Sequence, residues 1–255
     1  MPNKRVTELT EVTTPSNDAL VYVVNNATGT AVDQKAYLGA VLGPNYINGL
    51  SLTRLATNSI RIETGLAILP NNRVLRVTSP ITFSSMSLLA STWYHVYLYL
   101  SGSSVLAEYV TASPATPYFG TARTKTGDTS RRYIGSFLTN SSAQIHDFSY
   151  TNNYMAYRTA GSNFRILNGG TALSLTAVSL ANAVPGTATL VDIFCINIGS
   201  AAIYLCNSAG GIYYTLLANS RFEISNVPIE NGNLYYYVVS GGSAIIDVMG
   251  YTMER

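Results

Sequence analysis

Few residues in this chain are equipped for chemistry. It has 13 Asp and Glu among 255 residues, and glycoside hydrolysis needs two carboxyl groups about 5 to 9.5 Å apart. Glu8, Glu11, Asp18 and Asp33 precede the aromatic-rich body of the chain. Beyond them, Glu63 and Glu108 lie on alternating segments and are the pair that could converge, but strand alternation equally makes them solvent-facing residues. His146-Asp147 resembles part of a nucleophilic triad, yet strand neighbours point to opposite faces and no Gly-x-Ser-x-Gly elbow is present. His95, His146, Cys195 and Cys206 lack zinc-ligand spacing. The glycine pairs match neither a phosphate loop nor a dinucleotide fingerprint. The expectation is a non-enzyme, with no catalytic residue, metal or cofactor.

Binding residues are better candidates. Arg123, Lys125, Arg131 and Arg132 form the densest charge cluster. They could grip anionic sugars through bidentate contacts, or form a solvated loop in which Asp128 neutralises part of the charge. Tyr213-Tyr214 and Tyr235-Tyr236-Tyr237 could stack on sugar faces and hydrogen-bond through their hydroxyls. On a strand, at least one Tyr of each group must face away from the core. Subunit packing is the favoured role for such outward rings, with ligand contact the alternative. Cys195 and Cys206 flank Gly199-Ser200-Ala201 and read as cross-strand neighbours; free buried thiols are expected rather than a disulfide.

The elements that must position these residues read as all-β. Trp93-Tyr94-His95-Val96-Tyr97-Leu98-Tyr99-Leu100 alternates with both faces largely apolar, which predicts a strand covered on both sides. The Ser101-Gly102-Ser103 turn pairs it with 105–110. Asn71-Asn72 reads as a hairpin turn between 65–70 and 73–77. After residue 165, short apolar runs are punctuated by Gly169-Gly170, Pro185-Gly186, Gly199-Ser200, Gly210-Gly211, Asn231-Gly232 and Gly241-Gly242. The fold class expected is two β-sandwich-like modules, 46–165 and 166–255, the second of jelly-roll type. They follow an N-terminal segment, 1–45, with a strand at 19–24 and one short helix over 34–42, capped by Asp33 and stopped by Gly43-Pro44.

Composition narrows the partners. Charged residues make up 11%, against about 25% in a typical soluble protein, while 47% are hydrophobic. A net charge of +2 argues against nucleic acid, whose binders concentrate basic residues on one face. No apolar core of signal-peptide length follows Met1-Pro2-Asn3-Lys4-Arg5, and the most apolar region, 172–194, is broken by Ser, Thr, Asn and Pro185, so neither a secretion signal nor membrane insertion is expected. Low charge with doubly apolar strands fits a homotrimer that buries surface a monomer would expose.

The order Trp93-Tyr94-His95-Val96-Tyr97-Leu98-Tyr99, then Arg132-Tyr133-Ile134-Gly135-Ser136-Phe137, then Tyr157-Arg158-Thr159 resembles a module of bacteriophage virion appendages. Lys4-Arg5-Val6-Thr7-Glu8-Leu9, Thr13-Thr14-Pro15 and Asp18-Ala19-Leu20-Val21-Tyr22-Val23-Val24 resemble the opening of many phage fibres. The resemblance implies a structural virion protein made in the host cytoplasm, a tail fibre or receptor-binding appendage. Its N-terminal segment would dock to other virion proteins of tail or capsid, with Leu9, Val12, Leu20, Val21, Leu38 and Leu42 as candidate attachment residues. Its β modules would face host surface polysaccharide. The alternative is a head fibre or capsid decoration protein that stabilises the particle; a polysaccharide depolymerase is the least favoured reading.

Overall fold

The computed structural model describes residues 20–25, 32–37, 41–158 and 164–255. Among them the protein is almost wholly β, built from several antiparallel sheets, as the sequence predicts.

Strands β1 (Leu20–Asn25) and β2 (Val32–Tyr37) pair as an antiparallel hairpin. This corrects the helix expected over 34–42: β2 takes its first half, and Asp33 pairs with Val24 instead of capping a helix. Of the expected helix, only Val41 and Leu42 are helical among the described residues. Ladder pairing satisfies backbone groups that a helix of two or three turns leaves open at its ends. Of the candidate attachment residues, Leu9, Val12 and Leu38 lie outside the described residues. Leu20 and Val21 lie on β1, in register with Tyr37 and Ala36, and Leu42 is exposed.

Next come β3 (Ile47–Gly49), β4 (Leu52–Ala56), β5 (Ser59–Ile62), β6 (Gly65–Ile68), β7 (Val74–Val77) and β8 (Ile81–Phe83). They form two small sheets, β3-β6-β7 and β4-β5-β8. The β6–β7 turn is made at Asn71-Asn72 as predicted, with Asn72 at φ 63° and its N–H donating to the Leu69 carbonyl. Asn tolerates that left-handed conformation better than most residues.

Strands β9 (Trp93–Ser101), β10 (Ser104–Val110), β11 (Thr124–Lys125) and β12 (Asp128–Leu138) form a sheet in the order β10-β9-β12-β11. Five successive residues of β9, Tyr94 to Leu98, are buried, so both faces of the strand are covered. A bulge in β12 between Tyr133 and Gly135 keeps Tyr133 opposite Tyr97 and Ser136 opposite His95.

The rest of the chain supplies β13 (Phe148–Thr151), β14 (Tyr154–Tyr157), β15 (Arg165–Gly170), β16 (Thr176–Ser179) and β17 (Ala188–Asn197). It ends with β18 (Ile203–Cys206), β19 (Ile212–Leu216), β20 (Arg221–Pro228), β21 (Asn233–Val238) and β22 (Ala244–Met253). One sheet runs β13-β14-β22-β17-β20, with β15 also on β22; the other runs β16-β21-β18-β19. The division expected at residue 165 falls inside the first of these sheets, because β14 pairs with β22 and sets Met155 opposite Tyr251, both fully buried. A single apolar cluster extends from Leu50 to Met253.

The cysteine placement is also corrected. Cys195 and Cys206 are free and buried, but they sit in different sheets rather than opposite one another. Both edges of β17 are already taken by β20 and β22, so the chain cannot fold back on β17 as a hairpin and crosses to the second sheet instead. Among the described residues no helix is long and apolar enough to cross a membrane.

Candidate interaction surface

Strand β19 ends one sheet and β20 ends the other. They are consecutive in sequence, so the short link between them joins two edges that are unpaired among the described residues. Buried Asn197 fixes that link: its Nδ2 donates to the carbonyls of Ala201 (2.7 Å) and Leu217 (2.9 Å), and its Oδ1 accepts the Gly199 N–H. One side chain thereby ties the crossover after β17 to the turn after β19.

The two edges carry apolar residues in the open. Ile212, Tyr213, Tyr214, Leu217 and Phe222 are all exposed, Leu217 by 69% and Phe222 by 52%. A slot of about 330 Å³ opens between them, with Tyr214, Thr215 and Leu216 on one wall and Phe222, Glu223 and Ile224 on the other. Natural sheets usually guard such edges with charge, proline or cover, and β19 has no charged residue.

Parity sorts the tyrosines. Tyr236 is core, opposite Leu205. Tyr235 and Tyr237 are partly exposed on the opposite face of β21, where Tyr237 stacks on Tyr204 with ring centroids 4.7 Å apart. Tyr214 shares Leu205 as its cross-strand partner but lies on the open edge strand, which leaves it exposed. Tyr213 occupies the bulge of β19 and donates its hydroxyl to Glu230 Oε1 at 2.9 Å. That bond raises the Tyr213 pKa and helps lower that of Glu230, after the larger effect of Ser208. The five candidate tyrosines therefore divide among a core position, an outer face and an open edge.

Ile212, Leu217 and Phe222 are members of this surface that sequence reasoning missed. Phe222 alternates with Ile224 and reads locally as a core pair. Only the place of β20 at the end of its sheet leaves it uncovered.

The basic residues form internal braces rather than a patch. Arg123 pairs with Glu254 and donates from Nη1 to the Ala115 carbonyl. Lys125 Nζ lies 2.7 Å from Glu108 Oε1. Arg131 is 3.4 Å from the same carboxylate, near Asp128, with its guanidinium 3.8 Å above the Tyr99 ring. Arg132 is fully buried, donating to the carbonyls of Ile68, Arg123 and Tyr133, and burial lowers its pKa. Asp128 neutralises part of this charge as expected, through Arg131, whereas Arg132 is buried instead of lying on a solvated loop.

The acidic candidates are committed elsewhere. Glu63 accepts from Thr53 at 2.7 Å and pairs with Arg61; the Thr53 bond leads the effects that lower its pKa. Glu108 is held by Lys125 and Arg131. A glycosidase acid needs its pKa raised, opposite to the shift at Glu63. Asp147 faces Arg54 (3.6 Å), while the His146 ring packs against Phe164 at 4.6 Å. His95 Nδ1 lies 2.7 Å from Ser136 Oγ, itself 2.7 Å from the Tyr133 hydroxyl, and burial lowers the His95 pKa to about 4. Among the described residues no group of three or more His, Cys, Asp or Glu could hold a metal ion. Comparison with known protein families, with curated proteins and with solved structures gave no match.

Proposed function

We propose that this chain is a structural subunit of a bacteriophage virion appendage, a tail fibre or receptor-binding protein. It docks through its N-terminal segment, assembles as a homotrimer and presents its β modules for attachment to host-surface glycan. The observation that carries this reading is the pair of adjacent open edges, β19 and β20, with Tyr214, Leu217 and Phe222 exposed beside them. Apolar side chains along unpaired edges favour a surface that is covered on assembly. The motif order around Trp93, Arg132 and Tyr157 supplies the phage part of the reading. Sedimentation equilibrium of the purified chain tests the assembly: the expected mass is three times the 27.4 kDa chain, and a stable monomer at micromolar concentration would overturn it.

A further inference from the structure

Trp93 stands at a junction. Its indole Nε1 donates to the Ala181 carbonyl at 2.9 Å, across 88 residues of sequence, and its ring meets Tyr251 edge-on at 6.2 Å. The ring is partly exposed and lines three neighbouring cavities of about 410, 310 and 410 Å³. The first and third also share Ala181, and the second and third share Pro185 and Gly186, so the three adjoin one another around the indole as a grooved surface.

The lining specifies a ligand class. In the first cavity Trp93 is accompanied by Ser91, Asn140, Ser141, His146 and Asn182. Asn231 lines the third. Asn140 holds its own turn, its Oδ1 accepting from Ser142 and Gln144. The carboxamides of Asn182 and Asn231 make no side-chain hydrogen bond among the described residues. The groove carries almost no charge among the described residues: Arg123 is the one permanently charged residue they place in it, and Glu254 pairs with it. His95 and His146 both have lowered pKa values, chiefly through burial, and are neutral near pH 7.

We propose that this groove binds a short neutral oligosaccharide. A sugar ring offers a C–H face that packs on an indole, and hydroxyls that both donate and accept, matching a carboxamide. An anionic sugar would need unpaired cationic donors, and none lines the groove among the described residues. A purely apolar ligand would desolvate the asparagines without replacing their hydrogen bonds. A peptide would be served better by an open strand edge, and such an edge lies at β19 and β20 rather than here. Host-surface attachment gives this binding its purpose and rests on the function proposed above, but the binding itself is a property of the purified chain.

Trp93 is the single tryptophan, so its fluorescence reports on the groove directly. The purified full chain is titrated with maltotriose, tri-N-acetylchitotriose and xylotriose, and with sialyllactose and a sulfated disaccharide as charged probes. The expected result is a saturable change in emission with at least one neutral sugar and a response at least tenfold weaker to the charged ones. Asn182→Ala, on an exposed residue, should weaken apparent affinity about tenfold with an unchanged unfolding temperature. Trp93→Phe, read by calorimetry, should weaken it by at least a similar factor. No response to any neutral sugar from folded protein would overturn the proposal, as would a preference for charged probes, binding unaffected by both substitutions, or displacement only by peptide. Sugar binding by a chain absent from phage particles would leave this inference standing and refute the virion role; the converse result would do the reverse.

Discussion

Tyr214 and Phe222 face one slot from two different sheets. Their strands are joined by a short link, yet neither edge has a strand partner among the described residues. The arrangement leaves an apolar seam where a closed sandwich would have none. If other copies of the chain cover that seam, Leu217→Glu and Phe222→Glu should convert the proposed trimer to monomer. Because both residues are exposed, each substitution should shift the midpoint of the isolated chain's unfolding by no more than about 2 °C. Native mass spectrometry and thermal unfolding of the same samples check both halves of this prediction.

Arg123 and Glu254 connect distant parts of the chain. The guanidinium lies beside β11 and the carboxylate immediately follows β22, so the pair spans 131 residues of sequence. Both side chains are partly shielded, at 16% and 24% exposure. A double-mutant cycle with Arg123→Ala and Glu254→Ala should give a coupling on the order of 1 kcal/mol, decreasing as salt rises. Urea unfolding at low and high ionic strength measures it.

His95 should make the protein acid-sensitive above the range where carboxylates titrate. Its pKa in the folded protein is about 4 because it is buried, against about 6.5 when unfolded. The unfolded chain therefore binds more protons between these values, so stability rises with pH in that window and is lost as pH falls from about 6.5 towards 4. The full loss is on the order of 3 kcal/mol. His146, also lowered chiefly by burial, acts in the same direction. His95→Gln should flatten the pH dependence in urea titrations from pH 7 to 4; an unchanged slope would show that His95 is not the group responsible.

Two glycines separate crowding from backbone conformation. A Cβ on Gly199 would fall against the Gly241 carbonyl oxygen and the Ser243 amide nitrogen, where the turns before β18 and β22 meet. Gly127 has φ +79° with nothing near a Cβ. Gly127→Ala should cost about 1 kcal/mol, the left-handed penalty alone. Gly199→Ala should cost at least about 2 kcal/mol, because backbone must move. Thermal unfolding ranks the two.

Much of this architecture is legible locally. The alternation from Trp93 to Leu100 announces a strand covered on both faces, and Asn71-Asn72 announces its turn; both appear in place. Alternation requires some of Tyr235, Tyr236 and Tyr237 to leave the core without saying which; Tyr236 is the buried one. What local pattern does not carry is the neighbourhood of each strand. Gly199-Ser200 reads as a hairpin turn, but the edges of β17 are filled by β20 and β22, strands that arrive later in the chain. Arg132 reads as part of a charged loop, but carbonyls that include Ile68, 64 residues away, make its burial tolerable. Phe222 is exposed only because its strand ends its sheet. The open seam was invisible in sequence for that reason, whereas its tyrosines were not.

On the function proposed above, this chain belongs to the surface of a phage particle. Immunogold electron microscopy on intact particles, with an antibody against residues 166–255, tests it most directly. Label at the tail tip or along the tail side is expected. Label spread over the head would contradict the tail assignment and favour capsid decoration, and particles without label under conditions that mark the purified protein would contradict the virion role altogether.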